Sequence, residues 1–136
     1  MAIALTADAR EYILKAEQEL ISEEQTVFLI CPLTGRQRAK LRDMEKYSDP
    51  PRVISFTRPD GSEIRLPIPE NADEIALERC KIGLVGWRNL KYPSGAECPF
   101  TDDKEENLNR LTDAIISELQ FEIESLSRLT EAEVGN

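Results

Sequence analysis

Three observations predict an α+β fold, with a small antiparallel sheet of about three strands packed by helices and a long C-terminal amphipathic helix. Residues 53–58 and 62–68 alternate apolar and polar side chains on either side of Pro59-Asp60-Gly61, the pattern of a β-hairpin. The β-branched and aromatic run Thr26-Val27-Phe28-Leu29-Ile30-Cys31, ended by Pro32, reads as a buried strand. Beyond Phe100, the residues Leu108, Leu111, Ile115, Leu119, Ile123 and Leu126 recur at spacings of three and four, which places them along one face of a helix.

Taken in order, the first 25 residues form an N-terminal arm or a short helix. Tyr12, Ile13, Ala16 and Leu20 fall near one helical face, but Ile21-Ser22-Glu23-Glu24 breaks the period, so an extended arm competes with the helix. The α+β core is expected over residues 26–100. Phe28 lies at the centre of its first strand, and Thr34 is placed to cap a helix running to about Tyr47 with Ala39, Leu41 and Met44 on its apolar side. Pro50 and Pro51 stop that helix. In the hairpin, Ile54, Phe56, Ile64, Leu66 and Ile68 share the face expected to be buried, and the hairpin is expected to join the Val27 strand in one sheet. Asn71 or Asp73 then caps a helix through Ile75, Ala76, Leu77 and Cys80 to Ile82, continuing toward Trp87.

The stretch 80–100 holds the only tryptophan, two of the three cysteines and three of the six glycines. An indole of that size is best buried where several elements meet, so Trp87 is read as the plug of the core, in preference to the wall of a ligand pocket. Gly83 and Gly86 mark close packing or a bend beside it. A turn-rich loop, 92–97, leads to the long helix over 101–130, opened by Thr101 or Asp102 with acidic residues in its first turn, where they suit the helix dipole. Leu111, Ile115 and Leu119 face the core together with Trp87, Phe28 and Phe56. Ile116 and Phe121 lie off the main stripe; with Ile123 they are the candidate partner-facing residues of this helix. The tail 131–136 is expected to fray.

A chain of 136 residues with 40% hydrophobic and 32% charged residues makes a single domain, 1–136, with a modest core. No stretch approaches the roughly 18 apolar residues of a membrane span, and the first residues lack a signal-peptide pattern, so a cytosolic protein is expected. Three cysteines without a CxxC pair indicate neither a disulfide framework nor a zinc site. Histidine is absent, removing the usual general base and metal ligand. No phosphate-binding loop, nucleophile elbow or calcium loop occurs. The expectation is therefore a protein that acts by binding, with no catalytic residues, no metal and no cofactor.

The formal net charge is -9, unevenly spread. Residues 34–58 carry seven basic and three acidic side chains, whereas residues 92–136 carry three basic and eleven acidic ones. An acidic body repels nucleic acid, and the basic island lacks interleaved aromatics. Arg36, Arg38 and Arg42 are instead candidates for contact with an acidic helix, of this chain or of a neighbouring subunit, so that a homo-oligomer is a natural expectation.

Three pieces in this order carry a resemblance. Gln25-Thr26-Val27-Phe28-Leu29-Ile30-Cys31-Pro32-Leu33-Thr34-Gly35-Arg36, then Val85-Gly86-Trp87-Arg88-Asn89 followed by Cys98-Pro99-Phe100-Thr101, then Leu129-Thr130-Glu131-Ala132-Glu133-Val134-Gly135-Asn136 are similar to the tail assembly chaperones of long-tailed (siphovirus-like) bacteriophages. The resemblance implies a non-enzymatic, transient factor in the cytoplasm of the host bacterium. Such a factor coats the tape-measure protein and helps recruit tail tube subunits. It also implies that this chain corresponds to the shorter of two forms related by translational frameshifting. Two other readings remain open: a structural head-tail or tail-completion protein of the virion, and an acidic inhibitor or DNA mimic acting on a host protein through the acidic stretch 102–133.

Overall fold

The computed structural model describes residues 9–134, with side chains as far as residue 129. Its elements are β1 (Arg10–Ile13), β2 (Val27–Ile30), α1 (Gly35–Met44), β3 (Arg52–Thr57), β4 (Glu63–Ile68), α2 (Ala72–Gly83), β5 (Leu84–Arg88), α3 (Lys104–Asn109) and α4 (Asp113–Val134). Two single 3-10 turns, Lys15–Glu17 and Ser22–Glu24, lie between β1 and β2. The fold is α+β, and its main sheet has three antiparallel strands in the order β1-β2-β5.

The membership of that sheet differs from expectation. The hairpin of β3 and β4 forms a separate two-stranded sheet, and β2 pairs with two strands that periodicity concealed. One is β1, where a short helix competed with an extended arm: the segment is extended, and Tyr12 pairs with Phe28 and Ile13 with Val27. The other is β5, read as the continuation of a helix. Helix α2 ends at Gly83, and the chain leaves it as a strand in which Trp87 pairs with Phe28. The Cys31 N–H donates to the Gly83 carbonyl at 2.8 Å, joining the helix end to the ladder.

Packing requires a glycine where the chain changes structure. A Cβ there would sit 2.6 Å from Cγ2 of Ile123, a fully buried residue of α4, so the backbone of α2 touches a β-branched side chain directly. Only glycine permits that approach. The turn into β5 then brings the indole into the core, where it meets Phe28 edge-on at 6.2 Å and Phe100 edge-on at 4.9 Å between ring centroids. Its Nε1 donates to the Cys98 carbonyl at 2.7 Å, which satisfies the one polar atom of the ring and pins the 92–98 loop over it.

The long helix is also divided. A break at residues 110–112 separates α3 from α4, and Thr112 Oγ1 accepts the Ile115 N–H at 3.3 Å at the new start. Helix α3 is capped by Asp103, one residue beyond the candidates Thr101 and Asp102, whose side chain accepts the Glu106 N–H. Thr101 instead binds the buried Asn107 through its N–H, hydroxyl and carbonyl. Leu111, in the corner, is buried. At the other end, α4 runs through Val134, where fraying was expected, and residues 135 and 136 lie outside the described residues, as do the first eight.

Two buried hydroxyls complete the core. Ser127 accepts the Leu33 N–H at 2.8 Å and donates to the Ile123 carbonyl at 2.7 Å; Thr26 donates to the Asn89 carbonyl at 3.1 Å. Asn89 itself has φ 62°, a region asparagine tolerates, and its amide donates to the carbonyls of Glu23 and Gln25. Gly83→Ala should destabilise the domain by about 1–2 kcal/mol, overpacking against Ile123 outweighing the gain in helix propensity; a denaturant titration that finds equal or higher stability would show that the Gly83–Ile123 approach has room for a side chain.

Candidate interaction surface

The β3–β4 hairpin stands off the domain as an arm. Its pairing register, Ile54 with Leu66 and Phe56 with Ile64, puts directly opposed side chains on one face of the ribbon. Arg52, paired with Ile68, lies on that same face. The opposite face carries Val53, Ser55, Thr57, Glu63, Arg65 and Pro67. This is an amphipathic ribbon, and its apolar face is open: Ile54 is 42% exposed, Phe56 44% and Leu66 46%, with Ile64 and Ile68 half-buried. Phe56, expected in the core, is therefore a surface residue. The alternation was read correctly as a strand, but alternation reports a two-faced ribbon and not what lies against the apolar side.

The arm is stiffened at both ends. At the tip, Gly61 has φ 90° and donates its N–H to the Arg58 carbonyl at 2.9 Å, while Arg58 N–H donates to Ser62 O at 2.8 Å. Asp60 Oδ1 accepts both the N–H and the hydroxyl of Ser62, and these bonds hold its carboxyl below the usual range. At the root, the Asn71 side chain accepts the Lys46 N–H at 2.9 Å and donates to the Met44 carbonyl at 2.8 Å. Asn71 thus ties the end of α1 to the start of α2 in place of capping its own helix. Glu70 N–H donates to Lys46 O beside it. The two ends of the arm are thereby brought together at the surface of the body.

A groove of about 460 Å³ opens beside that root, between α2 and the first turns of α4. Ala72, Ala76, Leu77 and Ile116 contribute its apolar surface, and Glu45, Asp73 and Asp113 its carboxylates. Leu77 is 39% exposed. Further along α4, Phe121 is 60% exposed and Leu129 64%, one turn to either side of Ser125.

Of the residues singled out for partner binding, Phe121 lies on the surface. Ile116, although off the stripe, is buried beneath α2 with only an edge at the groove floor, and Ile123, which lies on the stripe, is wholly buried against Gly83. Arg36 and Arg42 are exposed. Arg38 is engaged within the fold: it donates to Glu124 at 3.0 Å, joining α1 to α4. Trp87, Phe28, Leu111 and Leu119 are buried, and Ile115 is half-buried against them. The arm face is the surface that sequence reasoning missed. Pro67 inside β4 and the pair Pro50-Pro51 ahead of β3 were the available signal, since proline has no N–H for a further ladder and marks strands at the margin of a sheet.

Glu124 is the electrostatic hub of the body. Arg128 and Arg38 donate to it, and Arg79 Nε lies 3.3 Å from its second oxygen. Arg79 also donates to Gln120 Oε1 at 2.7 Å. Burial raises the Glu124 carboxyl pKa, but the bonds from Arg128 and Arg38 and the charge of Arg79 outweigh it and hold the group below 4.5. Elsewhere, burial pushes the Cys80 thiol up to about 12, leaving it a protonated, apolar filler. Cys31, Cys80 and Cys98 are all buried and form no disulfide among the described residues. Among the described residues, no three His, Cys, Asp or Glu side chains are grouped to hold a metal ion, and no helix is long and apolar enough to cross a membrane.

Compared with known proteins, the chain matches no family model, no curated protein and no solved structure.

Two expectations follow from this geometry. Phe56→Ser should change unfolding free energy by no more than about 1 kcal/mol, the scale of one cross-strand pair; a loss as large as a core deletion would mean that the face is covered. For Glu124 the folded pKa is depressed, so its contribution is complete above the ordinary glutamate range and is lost as pH falls through the folded value. Urea midpoints of wild type and Glu124→Gln should therefore differ at neutral pH and converge in acid; a separation independent of pH would show that the ion cluster contributes nothing.

Proposed function

We propose that the chain acts by binding other polypeptides, as a tail assembly chaperone of a long-tailed bacteriophage in the cytoplasm of the host bacterium. In this reading it coats the tape-measure protein and helps recruit tail tube subunits, without catalysis. The observation that carries the binding reading is the anchored arm with its open apolar face. A two-stranded hairpin is marginal by itself, and an apolar face turned to water adds no stability to the domain that bears it. Such a face is accounted for by a complementary surface on another molecule.

A factor that coats a long helical client needs one contact for the client and one for its neighbour. The chain offers two separate apolar displays of this kind. The ridge at Phe121 and Leu129 on α4, with Glu118 and Glu122 nearby, has the form of a helix face that meets another amphipathic helix. The arm is the second display. The resemblance to tail assembly chaperones supplies the identity of the client, and its first two pieces are neighbours in space, since β2 pairs with β5.

Co-expression with helical fragments of a tape-measure protein from the same genome, followed by light scattering, tests this reading. Several copies should assemble on each fragment. Phe121→Asp should remain folded and weaken capture by at least about tenfold, the equivalent of 1.4 kcal/mol. Failure of the wild-type chain to capture any fragment, or undiminished capture by the variant, would count against the client face.

A further inference from the structure

We infer that the arm's occupant is a second copy of this chain, and that two copies exchange arms reciprocally, each laying its hairpin in the other's groove between α2 and α4. This assigns a partner to the arm and so builds on the binding reading above. Three observations carry it.

The first is chemical complementarity. The arm presents Ile54, Phe56, Ile64 and Leu66 together with Arg52 on the same face, and Arg58 at the turn. The groove presents Ala72, Ala76, Leu77 and the edge of Ile116, rimmed by Glu45, Asp73 and Asp113. Arg79, the basic residue lining it, is already turned to Glu124 and Gln120, so the rim remains negative. Apolar surface with arginines thus faces apolar surface with carboxylates, a pairing that also disfavours association of two arms with each other.

The second is position. Glu45 and Pro69, at the two sides of the arm's own root, line the groove. A hairpin laid into a neighbour's groove therefore runs beside that neighbour's arm, and a two-fold axis between the arms places both hairpins in both grooves at once. The strands, six residues each, reach about 20 Å, while α2 from Ala72 to Arg79 spans about 10 Å, so an arm crosses the groove with its tip left over to contact the far side.

The third is area. Five apolar side chains that are already about half hidden can give up only a few hundred square ångströms, on the order of 200–300 Å². Stable interfaces bury roughly 800 Å² per partner. One apolar face stacked on another falls short, whereas in reciprocal exchange each partner gives one arm and one groove, which doubles the area to about 400–600 Å² per partner, the size of a weak, concentration-dependent dimer. The contact is isologous and closes at two copies.

The test uses the full chain. Light scattering over a micromolar concentration series should give the mass of two copies. Phe56→Glu on the arm and Ala76→Arg in the groove should each weaken association by at least about tenfold, with circular dichroism and melting confirming that both variants fold. Mixed in equal amounts, they should recover a weakened dimer, because one arm and one groove remain intact across the pair. Under mild oxidation the double variant Phe56→Cys/Ala76→Cys should give a covalent dimer, since the native cysteines are buried; Phe56→Cys alone should not. A monomeric wild type, a mass that grows without limit as concentration rises, or efficient cross-linking by Phe56→Cys alone would each overturn the exchange. A dimer that captures no tape-measure fragment would remove the chaperone reading alone, and capture by a monomer would remove the exchange alone.

Discussion

Helix α2 meets α4 where Gly83 lies against Ile123, with no room for a Cβ between them, and the rest of the body follows from that contact. At that point the helix ends, and the chain continues as β5 with Trp87 opposite Phe28 in the ladder. The indole then organises the other side: its N–H holds the Cys98 carbonyl, Phe100 packs edge-on against it, and Asn107 ties the segment at Thr101 to α3. A single close approach of backbone to side chain thereby couples the helical layer to the sheet. Because protein interiors are close-packed, such a contact admits little adjustment.

The arm obeys a different logic. Its internal order comes from a register of six pairs and a turn with its hydrogen bonds made, and its attachment comes from the amide of Asn71 and the backbone of Glu70. Neither depends on burying the apolar face. The domain can therefore carry Ile54, Phe56 and Leu66 in the open without losing its fold, at the risk of non-specific association that exposed apolar strands always bring. Arg52 on that face and Arg58 and Arg65 nearby limit the risk by keeping the ribbon charged.

Charge is used in two ways. Within the body, Glu124 draws together arginines from α1, α2 and its own helix, so part of the basic island is consumed in holding elements that are distant in sequence. Arg36 and Arg42 on α1 stay at the surface, as do the carboxylates around the groove. The uneven charge seen along the chain is thus only partly cancelled by folding.

Local signals by themselves determined the α+β class, the hairpin and its turn, the Thr34 cap, the inward stripe of α4 and the burial of Trp87. Each depends on residues within a few positions of one another, where periodicity and steric preference act directly. Which strands share a sheet, where α2 gives way to β5, that Ile116 is buried although off the stripe and that Phe56 points into solvent were decided only in the tertiary structure. Alternation makes a strand two-faced and three-four spacing makes a helix amphipathic, but neither pattern says what covers the apolar side. That depends on which distant elements compete for the same surface, and here β1 and β5 occupy both edges of β2, leaving the hairpin to stand alone.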